Sequence, residues 1–354
     1  KIRLTSAVTG KSCYVQYFNV FQGSTRLLRQ APSPLNCGST SLLQLYGTEK
    51  LDTTSAVVSS VLDKLTYEYT SSSGTGWLNY FDINYERSLK FPGGYMSFRV
   101  PASVQTGQVT RFIISNANSD LRVWDVTDPA EAGALTYSMS GNTLNLDAET
   151  SQLREFVVFS TSNLLSPIPV GRVENQDLHS KVDYIMISYP GFLSEANRLA
   201  DFHRSRGLSV AVVTPQQIYN EFSSGAQDVT AIRDFLRMLY KKSETGNQPK
   251  YCLMVGDASY DYLDILPNNS NFVPTWESIN SLSPAASFAT DDYFALLDDT
   301  EGGFSGDVLG YVDMGFGRLP VKTLEQARQM VDKIIGYATP SDGRMKPWRN
   351  MITV

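Results

Sequence analysis

An all-β region followed by an α/β domain with a parallel sheet is the fold class this sequence predicts, on three observations. Up to about residue 170, short apolar segments recur between Gly, Ser, Asn and Asp, with no helical spacing between them. From Tyr184 onward, strand-like runs alternate with amphipathic helical patterns, and crossovers of that length require parallel strands covered by helices. Between the two, Leu164-Leu-Ser-Pro-Ile-Pro-Val170 carries two prolines in a short span and reads as an extended connector. The expected organisation is a sandwich or jelly-roll-like β region over residues 1–170 and an α/β domain over residues 171–354.

In the first region the segments are Ser12–Phe18, Trp77–Tyr85, Tyr95–Val100, Thr110–Ile114, Leu121–Val126 and Glu155–Ser160. Phe81, Ile83 and Tyr85 alternate with Asp82, Asn84 and Glu86, the period of two of a half-buried strand. Val57–Leu65 can be read either way, and its apolar, β-branched residues favour strand. In the second region Tyr184–Ser188 is the first parallel strand. A helix then sets Phe192, Ala196, Leu199, Ala200 and His203 on one face and stops at Gly207. Leu208–Val213 is the second strand, and Thr214-Pro215 opens a short helix to Phe222. Asp228 or Thr230 caps the helix whose buried face is Ile232, Phe235, Leu236, Leu239 and Tyr240. Tyr251–Val255 is the third strand and Gly310–Phe316 the fourth. Thr323-Leu-Glu-Gln326 is a capping box for a last helix, and Ile352–Val354 starts a fifth strand.

Composition narrows the function. A net charge of −6 with scattered basic residues gives no nucleic-acid footprint. No apolar stretch approaches the ~20 residues of a membrane-spanning helix. Three cysteines make no disulfide framework; Cys13 and Cys37 can pair, free thiols fit as well, and Cys252 reads as a core residue inside a strand. Lys1-Ile-Arg-Leu-Thr-Ser-Ala-Val8 reads as a strand without the apolar core of a signal peptide, so both ends are expected to be cuts in a longer protein.

The chemistry-bearing residues are mostly acidic. Asp257 and Asp261 follow the third strand, Asp291 and Asp292 lie in the next loop, Asp298, Asp299 and Glu301 form an acidic turn, and Asp313 enters the fourth strand. Oxygen ligands on irregular backbone suit calcium; Asp residues that merely open turns suit the same pattern better. No phosphate-binding glycine motif follows the first strand, and Gly315-Phe-Gly-Arg-Leu-Pro320 reads as a tight strand-to-helix turn. His203 belongs to an apolar helix face and His179 to a polar linker, so no Ser-His-Asp set is assembled.

Residues from about 181 to 354 resemble the first half of the gingipain-type cysteine peptidase domain, and within that family the PorU-type sortases of the type IX secretion system of Bacteroidetes. The segments that carry the resemblance are Phe192–His203, Gln217–Gly225, Thr230–Phe235, Gly256-Asp-Ala-Ser-Tyr-Asp-Tyr262, Ala289-Thr-Asp-Asp-Tyr-Phe294 and Gly317-Arg-Leu-Pro-Val-Lys322. Trp77–Arg87 resembles the β-rich region that precedes the peptidase. The resemblance implies a caspase-like α/β fold, left incomplete here. It implies a parent enzyme at the outer-membrane surface that removes C-terminal sorting domains from secreted cargo proteins. That enzyme would pass the acyl group to anionic lipopolysaccharide, working with an outer-membrane partner of the secretion system. The family's catalytic His, in a Gly-His-Gly turn, and its Cys are absent from this sequence, so no catalytic residue is assigned and the chain alone is expected to be inert. The family's calcium site is matched in part: Asp257 stands for one acidic ligand, Asp313 for another, and Tyr311 would offer its carbonyl. The competing expectation is a non-catalytic surface scaffold or adhesin with a degenerate peptidase domain.

Overall fold

In the computed structural model the described residues are 1–39, 41, 44–58, 64–169, 171–173, 175–302 and 310–339. The chain opens with β1 (Ile2–Lys11), β2 (Gln16–Gln22), β3 (Thr25–Gln30), β4 (Thr48–Ala56), β5 (Thr66–Ser71) and β6 (Thr75–Tyr85). They form two antiparallel three-stranded sheets, ordered β4-β1-β6 and β3-β2-β5. The sheets close on Ile2, Leu4 and Val20, with Leu28, Tyr67 and Ile83 at the margin. Buried Gln30 crosses between strands and donates to the carbonyls of Ser6 at 2.8 Å and Lys50 at 3.2 Å, which satisfies polar groups the small core cannot exclude. A disulfide joins Cys13, in the β1–β2 turn, to Cys37, in the segment before β4.

Next come β7 (Tyr95–Arg99), β8 (Val109–Ser115), β9 (Leu121–Asp125), β10 (Gly133–Ala134), β11 (Ser138–Ser140), β12 (Thr143–Glu149) and β13 (Glu155–Ser160). Here a four-stranded sheet, β10-β9-β13-β7, faces a three-stranded one, β11-β12-β8. Every second residue points inward: Phe156 and Val158 from β13 meet Phe112, Ile114, Leu144 and Leu146 from the opposite sheet. The β region therefore holds two sheet pairs with separate cores, where the sequence pattern suggested one sandwich.

The parallel sheet is built from β14 (Tyr184–Ser188), β15 (Val210–Val213), β16 (Tyr251–Val255) and β19 (Gly315–Leu319), in the order β15-β14-β16-β19. A two-residue hairpin, β17 (Trp276–Glu277) with β18 (Ala289–Thr290), interrupts the loop after β16. Helices α1 (Leu193–Arg204) and α4 (Leu324–Ala338) pack on one face through Ala196, Leu199, Ala200, Ala327 and Val331. Helices α2 (Pro215–Phe222) and α3 (Val229–Lys242) cover the other through Ile218, Ile232, Phe235 and Leu236. Their starts are those the sequence signals. Thr214 and Gln217 form a capping box on α2, with Pro215 opening the helix. The Asp228 carboxylate caps α3 by accepting from Thr230, and Thr323 caps α4.

Two strand expectations need correction. The fourth parallel strand is Gly315–Leu319 and not Gly310–Phe316, because Arg318 pairs with the partly buried Asp291 and the strand runs through the charge while Tyr311 and Val312 stay exposed. Phe81 and Tyr85 do lie on the Ile2 and Leu4 side of their sheet, but β6 is an edge strand and leaves them exposed. The strand ahead of Val57 ends at Ala56; residues 59–63 and Ile352–Val354, also read as strand, lie outside the described residues.

Candidate functional site at the sheet rim

The C-terminal ends of the parallel strands make a rim, the place where open α/β sheets collect ligands. At Gly256 the chain leaves β16 with φ near +144°, a conformation L side chains rarely adopt. A Cβ there would come within 3.1 Å of both Phe272 and Val273. Gly256 and Asp257 then donate to the carbonyls of Leu319 and Val321, each at 3.0 Å, so the rim of β16 stays bonded to the end of β19. The Asp257 carboxylate accepts from Ser270 Oγ at 2.6 Å and pairs with Lys322 Nζ at 3.2 Å. Burial pushes its pKa up, but the bonds from Ser270 and Lys322 prevail and hold it below the ordinary carboxylate range. A depressed folded-state pKa contributes stability above pH ~4 that is lost as pH falls through the folded value. Urea unfolding at pH 6 and pH 3 should therefore show a larger acid loss for the native chain than for Asp257→Asn. Equal losses would remove Asp257 from the acid response.

Three of the segments singled out in the sequence converge behind this rim on one guanidinium. Arg318, in β19, forms a two-point pair with Asp291, Nε and Nη2 each 2.7 Å from a carboxylate oxygen. The remaining hydrogens of the fork go to the carbonyls of Gly256 at 3.0 Å, Val273 at 2.6 Å and Pro274 at 3.0 Å. Asp291 also accepts from Thr275 Oγ1 at 2.9 Å, and its neighbours Tyr293 and Phe294 plug the core beside Trp276. The Gly-Asp end of β16, the Thr-Asp-Asp-Tyr-Phe run and the Gly-Arg-Leu-Pro run are thus parts of one clamp. Reading Gly315–Pro320 as a turn missed it. The signal was available: an arginine between Phe316 and Leu319 in a buried strand needs a carboxylate nearby.

Asp261, Asp299 and Glu301 are likewise tied to the fold. Asp261 accepts from the backbone N–H groups of Ile265 at 3.0 Å and Leu266 at 2.6 Å. Asp299 pairs with Arg237 and Lys241. Glu301 accepts from the backbone of Asp298 and Tyr311. Buried Arg233 gathers the carbonyls of Leu296, Asp298 and Glu301 and so shapes the acidic turn from beneath.

The calcium set read from the resemblance does not assemble. Asp257 follows β16 at the C-terminal rim, whereas Tyr311 and Asp313 precede β19 and sit at the opposite end of the sheet. Five paired residues alone separate the two ends by roughly 15 Å, too far for one ion with ligands at 2.3–2.6 Å. Asp313 instead accepts from the backbone of Leu297 at 2.8 Å, and Asp257 is engaged by Ser270 and Lys322. Among the described residues no group of three or more His, Cys, Asp or Glu gathers to hold a metal ion.

Neither histidine meets a thiol. Cys252 is 2% exposed on the α2–α3 face of the sheet, and burial pushes its thiol far above the ordinary range. His203 meets Tyr184 edge-to-face at 5.0 Å, on the α1–α4 side, where burial and then Arg206 lower its pKa. His179 lies 3.0 Å from Lys242 Nζ and 3.8 Å from Glu221.

Residues 177–354 match the family model described as Peptidase family C25. Comparison with curated proteins gives no match. Among solved structures, dimeric latent PorU from Porphyromonas gingivalis is similar with a TM-score of 0.80 and 27% identity, over 95% of this chain and 33% of that one. The present chain thus spans about a third of the PorU chain it matches. The Arg-specific cysteine proteinase gingipain R gives a TM-score of 0.31 and 17% identity, over 46% of this chain and 29% of that one, too slight a likeness to argue from. With half its length matched by one family model and nearly all of it following the PorU fold, the chain belongs to peptidase family C25, the gingipain-type peptidases.

Proposed function

We propose that this chain is the front part of a cell-surface cysteine peptidase and sortase of the PorU type. It supplies the β-rich leader and the half of the peptidase sheet that positions a thiol and an imidazole carried by later strands. The observation that carries the reading is the Arg318–Asp291 clamp, which fixes the rim where strand ends present catalytic groups, within a PorU-like fold. The substrates proposed are type IX secretion cargo proteins bearing C-terminal sorting domains. In the reaction a thiolate attacks the scissile carbonyl, the sorting domain departs as its amine, and the thioester passes its acyl group to an amine on anionic lipopolysaccharide. An outer-membrane partner would hold the enzyme at the surface. Among the described residues no helix is long and apolar enough to cross a membrane.

The test compares the longer protein with the 354-residue chain on a fluorogenic peptide spanning a sorting-domain junction, with a soluble amine as acceptor. Iodoacetamide-sensitive cleavage and an amine-ligated product are expected from the longer protein alone. The shorter chain should be inert, and its Cys252 should react with a thiol reagent only after denaturation. Cleavage by the shorter chain that Cys252→Ala abolishes, or a longer protein without thiol-dependent activity, would overturn the reading. The second result would favour the non-catalytic scaffold.

A further inference from the structure

A cleft of about 970 Å³ lies away from the sheet rim, between the first β-sheet pair and the loop joining β17 to β18. That is within the range of about 300–1,000 Å³ found for small-molecule sites. Its floor is the outer face of the β4-β1-β6 sheet, and residues 279–283 form one wall. The wall is fixed in place, since the Tyr46 N–H donates to the Leu282 carbonyl at 2.7 Å.

Two features mark the cleft as built to receive a ligand. The first is a bulge in β6: Ala7 pairs with Tyr80 and Val8 with Leu78, which leaves Asn79 as an extra residue. Bulges re-aim side chains and recur beside binding sites. The bulge brings Asn79 alongside Glu49, to which its amide donates at 3.4 Å. The second is an aromatic pair at the mouth. Trp77 and Tyr46 lie 6.5 Å apart with their planes 35° from each other, and each keeps nearly half of its surface exposed. Lys11 occupies one face of Tyr46 at 3.8 Å, so the tyrosine is held while the indole is open. Across from the rings, the side chains of Asn280 and Ser281 have no hydrogen-bond partner among the described residues.

We propose that this cleft binds a neutral oligosaccharide. A pyranose offers an apolar C–H face to an indole, and around its edge hydroxyls that both donate and accept. Amides and hydroxyls such as Asn79, Asn280 and Ser281 supply both roles. Glu49 is the charged residue lining the cleft and Lys11 is taken up by the Tyr46 ring, so no cluster of cations is present to hold an anionic ligand. A peptide added as a strand would seat on the outer edge of β4 or β6, whereas the residues lining the cleft present a sheet face of side chains. The inference is independent of the peptidase reading, since it uses no residue of the rim.

The experiment titrates the full chain with maltotriose, cellotriose, mannotriose and chitotriose by calorimetry, with a sulfated trisaccharide and a proline-rich peptide as separate arms. At least one neutral sugar should bind saturably, and Trp77→Ala and Asn280→Ala should each weaken that binding by about tenfold. Both side chains are exposed; Trp77→Phe, which keeps a ring, should fall between. Absence of saturable binding by all four sugars, undiminished binding in both alanine variants, or binding confined to the sulfated sugar or the peptide would overturn the assignment.

Discussion

Replacing Arg318 with alanine is expected to destabilise the α/β unit by about 3–5 kcal/mol, the usual effect of removing one partner of a buried ion pair. The arginine side chain is 11% exposed and Asp291 24%, so water cannot replace the lost partner cheaply. The substitution strands a carboxylate and also orphans carbonyls of Gly256, at the end of the neighbouring strand, and of Val273 and Pro274 in the loop beyond it. Arg318→Lys should recover little, because an ammonium cannot span a carboxylate and three carbonyls as a planar fork does. The double replacement Arg318→Met with Asp291→Leu should recover much of the loss, since it removes both charges together. Chemical denaturation of the four proteins measures this. A single-substitution loss below about 1 kcal/mol, the range of an exposed pair, would show that the clamp contributes little.

Removing the Cys13–Cys37 bridge should cost the first β-sheet pair about 3–3.5 kcal/mol on the loop-entropy model, given its sequence separation of 24 residues. That core is small, with Ile2, Leu4 and Val20 its buried members among the described residues, so a covalent tie matters more there than in the α/β unit. Cys13→Ser with Cys37→Ser and reduction of the native protein should give the same shift in urea midpoint. Cys252 is a buried free thiol and makes no contribution to the difference. If neither treatment moves the midpoint, the bridge constrains nothing the fold does not already hold.

How much of this was legible in the sequence follows from whether an element is set by neighbours in the chain or by distant ones. Helices α1 to α4 declare themselves locally, through caps such as Thr214 and Asp228 and apolar positions at helical spacing. The parallel sheet follows from those crossovers, and its strands alternate faces as expected: Ile185 and Ile187 to one side, Met186 to the other. What the sequence left unread depends on partners far along the chain. The pairing of Cys13 with Cys37 was open, and the division of the β region into two sheet pairs depends on which strands meet, not on how each one reads. Arg318 and Asp291 are 27 residues apart, and each alone resembles an ordinary turn or loop residue. The calcium set was carried over from the family resemblance, which does not say at which end of a strand a residue stands: Asp257 leaves its strand and Asp313 has yet to enter its own.

The separation of the two β cores from each other, and of both from the cores flanking the parallel sheet, has a consequence for how the molecule comes apart. Melting is expected to run as a sequence of modular events, with calorimetric enthalpy exceeding the van't Hoff value of any one step. A substitution inside one core should then leave the midpoints of the others unmoved, which would let the β region vary while the peptidase scaffold stays fixed.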